Sequence, residues 1–208
     1  MTPASEHHFP LFPLPIVALP SELVPLRIFE ERYKAMIAHC EEHESEFGIL
    51  WLSADGLRTV GCACEVAEVL ERREDGQVEL LARGTRPFEL LERQPDRPYP
   101  AGIVAWLGDR DEPADAAAGD AAREAYTELV EQATDQEPDA DELASMDAFA
   151  MAATVDFGAD AKQGLLDLRS ENARLRLVCR LFRAALKRLE LVERAQARAR
   201  SNGKVRFA

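Results

Sequence analysis

The sequence predicts an α+β protein: an antiparallel β barrel with one helix in the first half and an α-helical bundle in the second. Three observations lead there. About six or seven short apolar or alternating segments, separated by turn residues, fill the first hundred or so positions, a pattern that suits a compact antiparallel barrel. At Gly108 the composition turns sharply acidic. Beyond it apolar residues recur at three-and-four spacing, the period of helices packed on one face. With 208 residues and a 47% hydrophobic share, the chain can bury a core without disulfide or metal staples.

The barrel half is organised around Phe9 to Tyr33. Residues 1 to 8 read as a loose tail. Pro10, Pro13, Pro15, Pro20 and Pro25 each lack the N–H that a helix or central ladder needs, so this stretch reads as extended edge strands broken by turns. After Leu26 the prolines stop. Glu30, Glu31, Tyr33, Met36, Ile37 and Cys40 then follow at helical spacing, with acids in the first turn where the helix dipole favours them. Phe47 to Trp51 reads as a strand ending at the turn Ala54-Asp55-Gly56. Val60, Cys62, Cys64 and Val66 alternate as a half-buried strand does, and the shift to Val69 predicts a bulge. Asp75-Gly76 marks a hairpin turn. After it, Val78 and Leu80 predict a strand ending near Gly84, Phe88 and Leu90 another, and Ala101 to Leu107 the last, beyond a loop enclosed by Pro95, Pro98 and Pro100.

Residues 109 to 147 hold fourteen acids against Arg110 and Arg123. Asp109 to Ala118 reads as a linker, followed by a helix with Ala122, Tyr126, Leu129 and Ala133 on one face. Pro138 breaks the pattern, and Asp139 or Asp141 can cap a helix carrying Leu143, Met146, Phe149, Ala150, Ala153 and Phe157, with Gly158 placed to end it. A shorter helix carries Ala161, Leu165 and Leu168. Ser170 can cap the longest, where Leu175, Val178, Cys179, Phe182, Leu186 and Leu189 recur. The domain reading is a barrel over 9–108, an acidic linker over 109–120 and a helical bundle over 121–200.

Several of these segments carry a family resemblance. Phe12-Pro13-Leu14, Leu19-Pro20, Pro25-Leu26 and Ile28-Phe29-Glu30-x-Arg32-Tyr33 resemble the opening of the LON domain, the substrate-binding domain at the N-terminus of Lon-type ATP-dependent proteases, which also occurs free-standing in bacteria. Later pieces follow in order: Phe47-Gly48-Ile49, Gly61-Cys62-x-Cys64-Glu65-Val66, Asp75-Gly76, Gly84-Thr85-Arg86-Pro87-Phe88 and Pro98-Tyr99-Pro100-Ala101. Lys162-Gln163-x-Leu165-Leu166-x-Leu168 and Arg174-Leu175 resemble the helical segment that follows the barrel. The resemblance implies a PUA-like pseudo-barrel followed by helices, and a role in recognising unfolded or degradation-marked polypeptides. In one departure, Pro87 stands between Arg86 and Phe88 where an Arg-Phe pair is more usual, which predicts a strand starting one residue late. In another, the chain stops where a protease would continue into ATPase and peptidase modules, so a free-standing module is expected.

Charge and motifs narrow the function. A net charge of -13 repels phosphate backbones and anionic lipid, which disfavours nucleic acid and membrane surfaces as partners. The N-terminus has neither a secretory pattern nor a membrane span, and Cys40, Cys62, Cys64 and Cys179 form no CxxC pair, so a cytoplasmic protein with reduced thiols is expected. The phosphate-cradling G-x-x-x-x-G-K-[ST] is absent, since Gly203-Lys204-Val205 has neither the upstream glycine nor the hydroxyl, and no serine and lysine sit in a nucleophile setting. No catalysis and no cofactor are expected.

Four features are candidate sites. His39-Cys40-Glu41-Glu42-His43 matches H-x-x-E-H, which places two imidazoles one helical turn apart, and a small metal-dependent peptidase using His39, Glu42 and His43 is the alternative function. The plainer reading is a solvated helix end whose histidines meet the negative end of the dipole. Cys62 and Cys64 share a strand face as small core residues, and Trp51 and Trp106 lie in apolar strands as core aromatics. Lys187, Arg188, Arg194, Arg198, Arg200, Lys204 and Arg206 outweigh Glu190 and Glu193 in the tail, a charge that could meet nucleic acid or an acidic partner but better suits the dipole of the last helix and the acidic linker region. The second alternative function, RNA binding, is implied by the resemblance, since PUA-like barrels include RNA binders. The leading expectation is a non-catalytic module that binds polypeptide segments or a partner protein in an apolar groove between barrel and bundle, with protein quality control as its candidate setting. Phe29, Tyr33 and Tyr99, at segment junctions, are the candidate lining residues. No oligomeric state follows from the sequence.

Overall fold

The computed structural model describes residues 5–95 and 97–202. Seven strands come first, β1 Ser5–Leu14, β2 Leu23–Ile28, β3 Phe47–Ser53, β4 Gly56–Leu57, β5 Val60–Arg72, β6 Val78–Gln94 and β7 Ala101–Trp106, with helix α1 Glu31–Glu42 between β2 and β3. Five helices follow: α2 Ala116–Thr134, α3 Ala140–Ser145, α4 Ala148–Ala153, α5 Ala159–Leu166 and α6 Glu171–Asn202. The α+β class, barrel half before helical half, is as the sequence predicts.

The strands run β1-β7-β6-β5-β3, and β1 also pairs with β3, so five strands close into a ring. The β1–β3 contact is parallel, and the other pairs are antiparallel. β2 adds to the flank of β6, and β4 to the end of β3. Phe9, Leu11, Leu50, Ala63, Phe88 and Val104 fill the inside of the ring. The space is tight: a Cβ on Gly48 would stand 2.4 Å from the Phe88 ring, and one on Gly61 2.4 Å from the Ile49 carbonyl.

β1 corrects the expectation of an edge strand. Ser5 to Pro10 pairs with β7, whereas Leu11 to Leu14 pairs with β3. Each stretch uses one edge at a time, so Pro10 and Pro13 can sit inside a closed ring without breaking a ladder on both sides. The strand begins at Ser5, inside the stretch read as a tail. β6 is likewise one continuous strand, where two were expected and a late start after Pro87. The Pro87 carbonyl accepts from Leu107 N–H at 3.1 Å, so the missing N–H faces the end of β7 and costs no bond in the ladder with β5. Bulges do occur in β5, at Ala63/Cys64, Val66/Glu68 and Val69/Glu71.

The helical half also differs in its boundaries. Asp115 caps α2 by accepting from Ala118 N–H at 3.1 Å, so the helix starts ahead of residue 121. The segment before it is pinned: Asn172 bonds Asp115 N–H at 2.8 Å and the Pro113 carbonyl at 2.9 Å. The single helix expected over Leu143 to Phe157 is two, because Met146 is extended and the Asp147 carboxylate caps a fresh start at Ala150 N–H. Gly158, at φ +78°, opens α5 instead of closing the helix before it. Ser170 Oγ accepts from Ala173 N–H at the start of α6. Of the basic tail, Lys204 and Arg206 lie outside the described residues, as does Gly203-Lys204-Val205.

A second, larger hydrophobic cluster runs from the outer face of the barrel through α1 into the bundle, joining Ile28, Met36 and Phe47 to Phe149, Leu165 and Phe182. Cys62 and Cys64 are buried in it. Polar ties reinforce the seam: Lys162 of α5 pairs with Glu22 between β1 and β2, and Gln163 donates to the Val60 carbonyl at 3.1 Å. Arg174 is the main clamp within the bundle. Its side chain is 5% exposed, is held by Asp109 and Glu171, donates to the Leu168 carbonyl at 3.1 Å and lies 4.4 Å over the Phe149 ring.

Two outcomes follow for stability. Replacing Gly84 with alanine brings a Cβ within 2.0 Å of the Leu19 carbonyl, and chemical denaturation should show a loss of about 1–3 kcal/mol or more. Hydrogen bonds from Arg174, its largest influence, hold the Asp109 carboxyl below its ordinary value of 3.8. The stabilisation is therefore complete above the unfolded value and lost as pH falls through the lowered folded one. Arg174→Met should cost about 1–3 kcal/mol at neutral pH, since the carboxylates it leaves behind are 39% and 33% exposed and keep access to water. It should also flatten the part of the acid-unfolding curve below pH 3.8 that belongs to Asp109.

Candidate functional site

A groove of about 910 Å³ lies on the barrel half and is mostly apolar. One wall is the end of β1, Leu11 to Pro15, where two prolines remove backbone donors and leave a stiff apolar surface. The opposite wall is the β2–α1 junction, Arg27 to Glu30 with Arg32 and Tyr33. Leu52 and Leu57 of the β3–β4 hairpin close one end, and Arg93, Gln94, Pro95, Pro100 and Ala101 lie at the β6–β7 connection. That hairpin is held by the predicted turn, with Gly56 at φ +116° and Ser53 Oγ donating to the Gly56 carbonyl at 2.9 Å.

The strand-to-helix turn at Glu30 decides how the groove is furnished. Glu30 is extended at ψ 136°, and its carbonyl accepts from Tyr33 and Lys34 N–H, starting α1. Phe29, just before the turn, is left outside the helix and 61% exposed at the rim. Tyr33, one turn in, is 6% exposed and forms the floor, its ring 4.2 Å from Phe12 and 4.5 Å beneath the Arg32 guanidinium. Burial pushes its phenol pKa up. Leu52, 50% exposed, faces Phe29 as a second apolar rim residue.

β2 adds a backbone feature. Its register with β6 and the bond from Gly84 N–H to the Glu22 carbonyl, 2.9 Å, make Glu22, Val24, Leu26 and Ile28 the positions that bond β6. Leu23, Pro25 and Arg27 therefore point their main-chain groups away from the sheet. Among the described residues no backbone hydrogen bond reaches that outer edge. Pro25 blunts its middle, as prolines on natural edges do, but Arg27 keeps a free N–H and C=O beside the groove.

The structure brings Phe29 and Tyr33 together in this groove and leaves Tyr99 out of it. Tyr99 is 5% exposed and packs in the core, its ring 5.9 Å from His39. The groove expected between barrel and bundle is thus displaced onto the barrel, because the large shared core fills most of the seam. A smaller and more polar cleft of about 500 Å³ remains there, between β2 and the α4–α5 loop. Sequence reading missed Leu14, Leu52, Leu57 and Arg93. Only Leu52, an exposed leucine just past the run Phe47 to Trp51, carried a local signal.

His39 and His43 stack with ring centroids 4.2 Å apart at the end of α1, and His43 Nδ1 donates to the His39 carbonyl at 2.9 Å, completing the helix terminus. Partial burial and the neighbouring His43 and Arg97 charges push the His39 pKa down. Among the described residues, no group of three or more His, Cys, Asp or Glu is placed to hold a metal ion. Cys40, between the histidines in sequence, points into the core, and burial raises its thiol pKa to about 11.

With this geometry in place, comparison identifies the chain's class. The family described as the ATP-dependent protease La (LON) substrate-binding domain matches residues 8–184, and the chain belongs to it. Among solved structures, a Lon N-terminal domain protein from Xanthomonas campestris is 24% identical with a TM-score of 0.60, covering 83% of this chain and 95% of its own. The N-terminal domain of a Mycobacterium avium complex Lon protease is 19% identical with a TM-score of 0.63, covering 86% and 98%. Both likenesses bear on the fold. No curated protein matches this chain. Among the described residues no helix is long and apolar enough to cross a membrane.

Among the described residues no third ligand stands beside the two stacked histidines, so neither zinc addition nor chelation should move the melting temperature. A zinc-induced rise of several degrees, lost in His43→Ala, would restore the metal reading.

Proposed function

We propose that this protein is a non-catalytic module that binds extended polypeptide segments in the barrel groove, in the service of protein quality control. The observation that carries this reading is the pairing of an apolar groove with a free strand edge. Phe29, Tyr33, Leu52 and Leu57 offer apolar contact, and Arg27 offers an unpaired N–H and C=O in the same place. Apolar walls suit many ligands, but an unpaired strand edge is met best by another main chain, which adds hydrogen bonds whatever its sequence. Unfolded chains present both features at once. Membership of a substrate-binding family supports the same direction.

Binding of a labelled, reduced and unfolded model polypeptide, followed by fluorescence anisotropy, tests the reading. Phe29→Ala should weaken binding about tenfold, the order expected for losing one exposed aromatic anchor. Its melting temperature should stay put, because Phe29 is 61% exposed. Leu52→Ala should act the same way. Tyr99→Phe, outside the groove, should leave affinity unchanged. Unaltered binding in the Phe29 and Leu52 variants, with the fold intact, would rule the groove out.

A further inference from the structure

The groove's charge points to a finer selectivity, which rests on the polypeptide reading above. Among the described residues, three arginines, Arg27, Arg32 and Arg93, line it against one carboxylate, Glu30. This is unusual on a chain whose net charge is -13. Two of the three are answered from within the molecule. The Arg27 guanidinium donates two hydrogen bonds to Gln77 Oε1, at 3.3 and 3.0 Å, and lies 3.8 Å from Glu79. Arg32 pairs with Glu30 at 2.8 Å. Arg93 has no hydrogen-bond or ion-pair partner among the described residues, although it stands on the rigid ladder between β6 and β7, opposite Gly102.

We propose that Arg93 selects polypeptide segments in which an Asp or Glu side chain flanks apolar residues. An arginine beside an apolar wall offers a forked donor set matched to a carboxylate, and a pair formed there is less screened than one in open water. The free edge at Arg27 fixes the source of the carboxylate. A main chain aligned on that edge runs through the groove, and its alternate side chains face the walls. The residue that meets Arg93 is then an internal side chain. Phe29 and Tyr33 take the apolar neighbours.

The test uses the full chain and three labelled seven-residue peptides, acetylated and amidated, with alternating Leu and Val and a single central Asp, Asn or Lys. The Asp peptide should bind about tenfold more tightly than the Asn peptide and more tightly still than the Lys peptide, one charge-assisted pair being worth about 1.4 kcal/mol here. Arg93→Gln should abolish that difference, and Arg93→Glu should invert it in favour of Lys. Added salt should narrow it. Arg27→Gln and Arg32→Gln should leave most of it in place, since those side chains are already paired. Equal affinities for all three peptides, with binding still lost in Phe29→Ala, would overturn the selectivity and leave the groove standing. A preference that appears only when the Asn peptide carries a free C-terminal carboxylate would overturn the side-chain assignment. Loss of the preference in Arg27→Gln but not in Arg93→Gln would overturn the role of Arg93. Absence of binding by any peptide, or binding indifferent to Phe29→Ala, would remove the groove reading and this one with it.

Discussion

The barrel exists because one proline-rich strand serves two neighbours in succession. β1 gives Ser5 to Pro10 to β7 and Leu11 to Leu14 to β3, closing the ring through its only parallel contact. A proline cannot donate to a ladder, so a strand with both edges paired along its whole length could not hold Pro10 and Pro13. Splitting the strand between partners removes the conflict. It also shapes the surface, since the second half of β1 leaves β7 behind after Leu11 and its freed flank, Phe12 to Pro15, becomes a wall of the groove. Closure and groove thus have one cause.

The helical half depends on a different device. Its long helix α6 carries a cation, Arg174, to a position that is 5% exposed, where burying a charge alone would be costly. The cost is met by complete satisfaction, with two carboxylates, a main-chain carbonyl and an aromatic face around one guanidinium. Those partners come from the segment after β7, the α5–α6 turn, α4 and α6 itself. One side chain therefore fixes four chain segments relative to each other, and the short helices α3 to α5, too small to persist alone, are held where the shared core can cover them.

How much of this the sequence disclosed follows from how local each determinant is. Turn chemistry at Ala54-Asp55-Gly56 and helix capping at Ser170 involve neighbours in sequence and were legible there. The prolines of β1 and Pro87 were legible as constraints but misleading as to place, because whether a missing N–H matters depends on which strand lies alongside. Met146 and Asp147 split one periodic helix in two, a choice set by the cap at Ala150 N–H, which periodicity does not register. Phe29 and Tyr33 could be singled out because they sit together at a strand-to-helix junction. Leu14, Leu57 and Arg93 could not, since they come from strands that meet only after the ring has closed.

Charge distribution gives the groove its context. The acids concentrated between residues 109 and 147 belong to the helical half, and none of them lines the groove, whose furthest residue along the chain is Ala101. Fields between exposed charges fade over roughly 8–10 Å in physiological salt, so the local arginines outweigh the distant acids at the groove itself. Beyond that distance the net charge of -13 sets a negative field, which disfavours the approach of strongly acidic polymers. On the proposed reading, a segment with one carboxylate among apolar residues carries too little charge to be turned away and enough to pair with Arg93. The proposed selectivity depends on that separation of charge, with the acids kept to the helical half and the arginines at the groove.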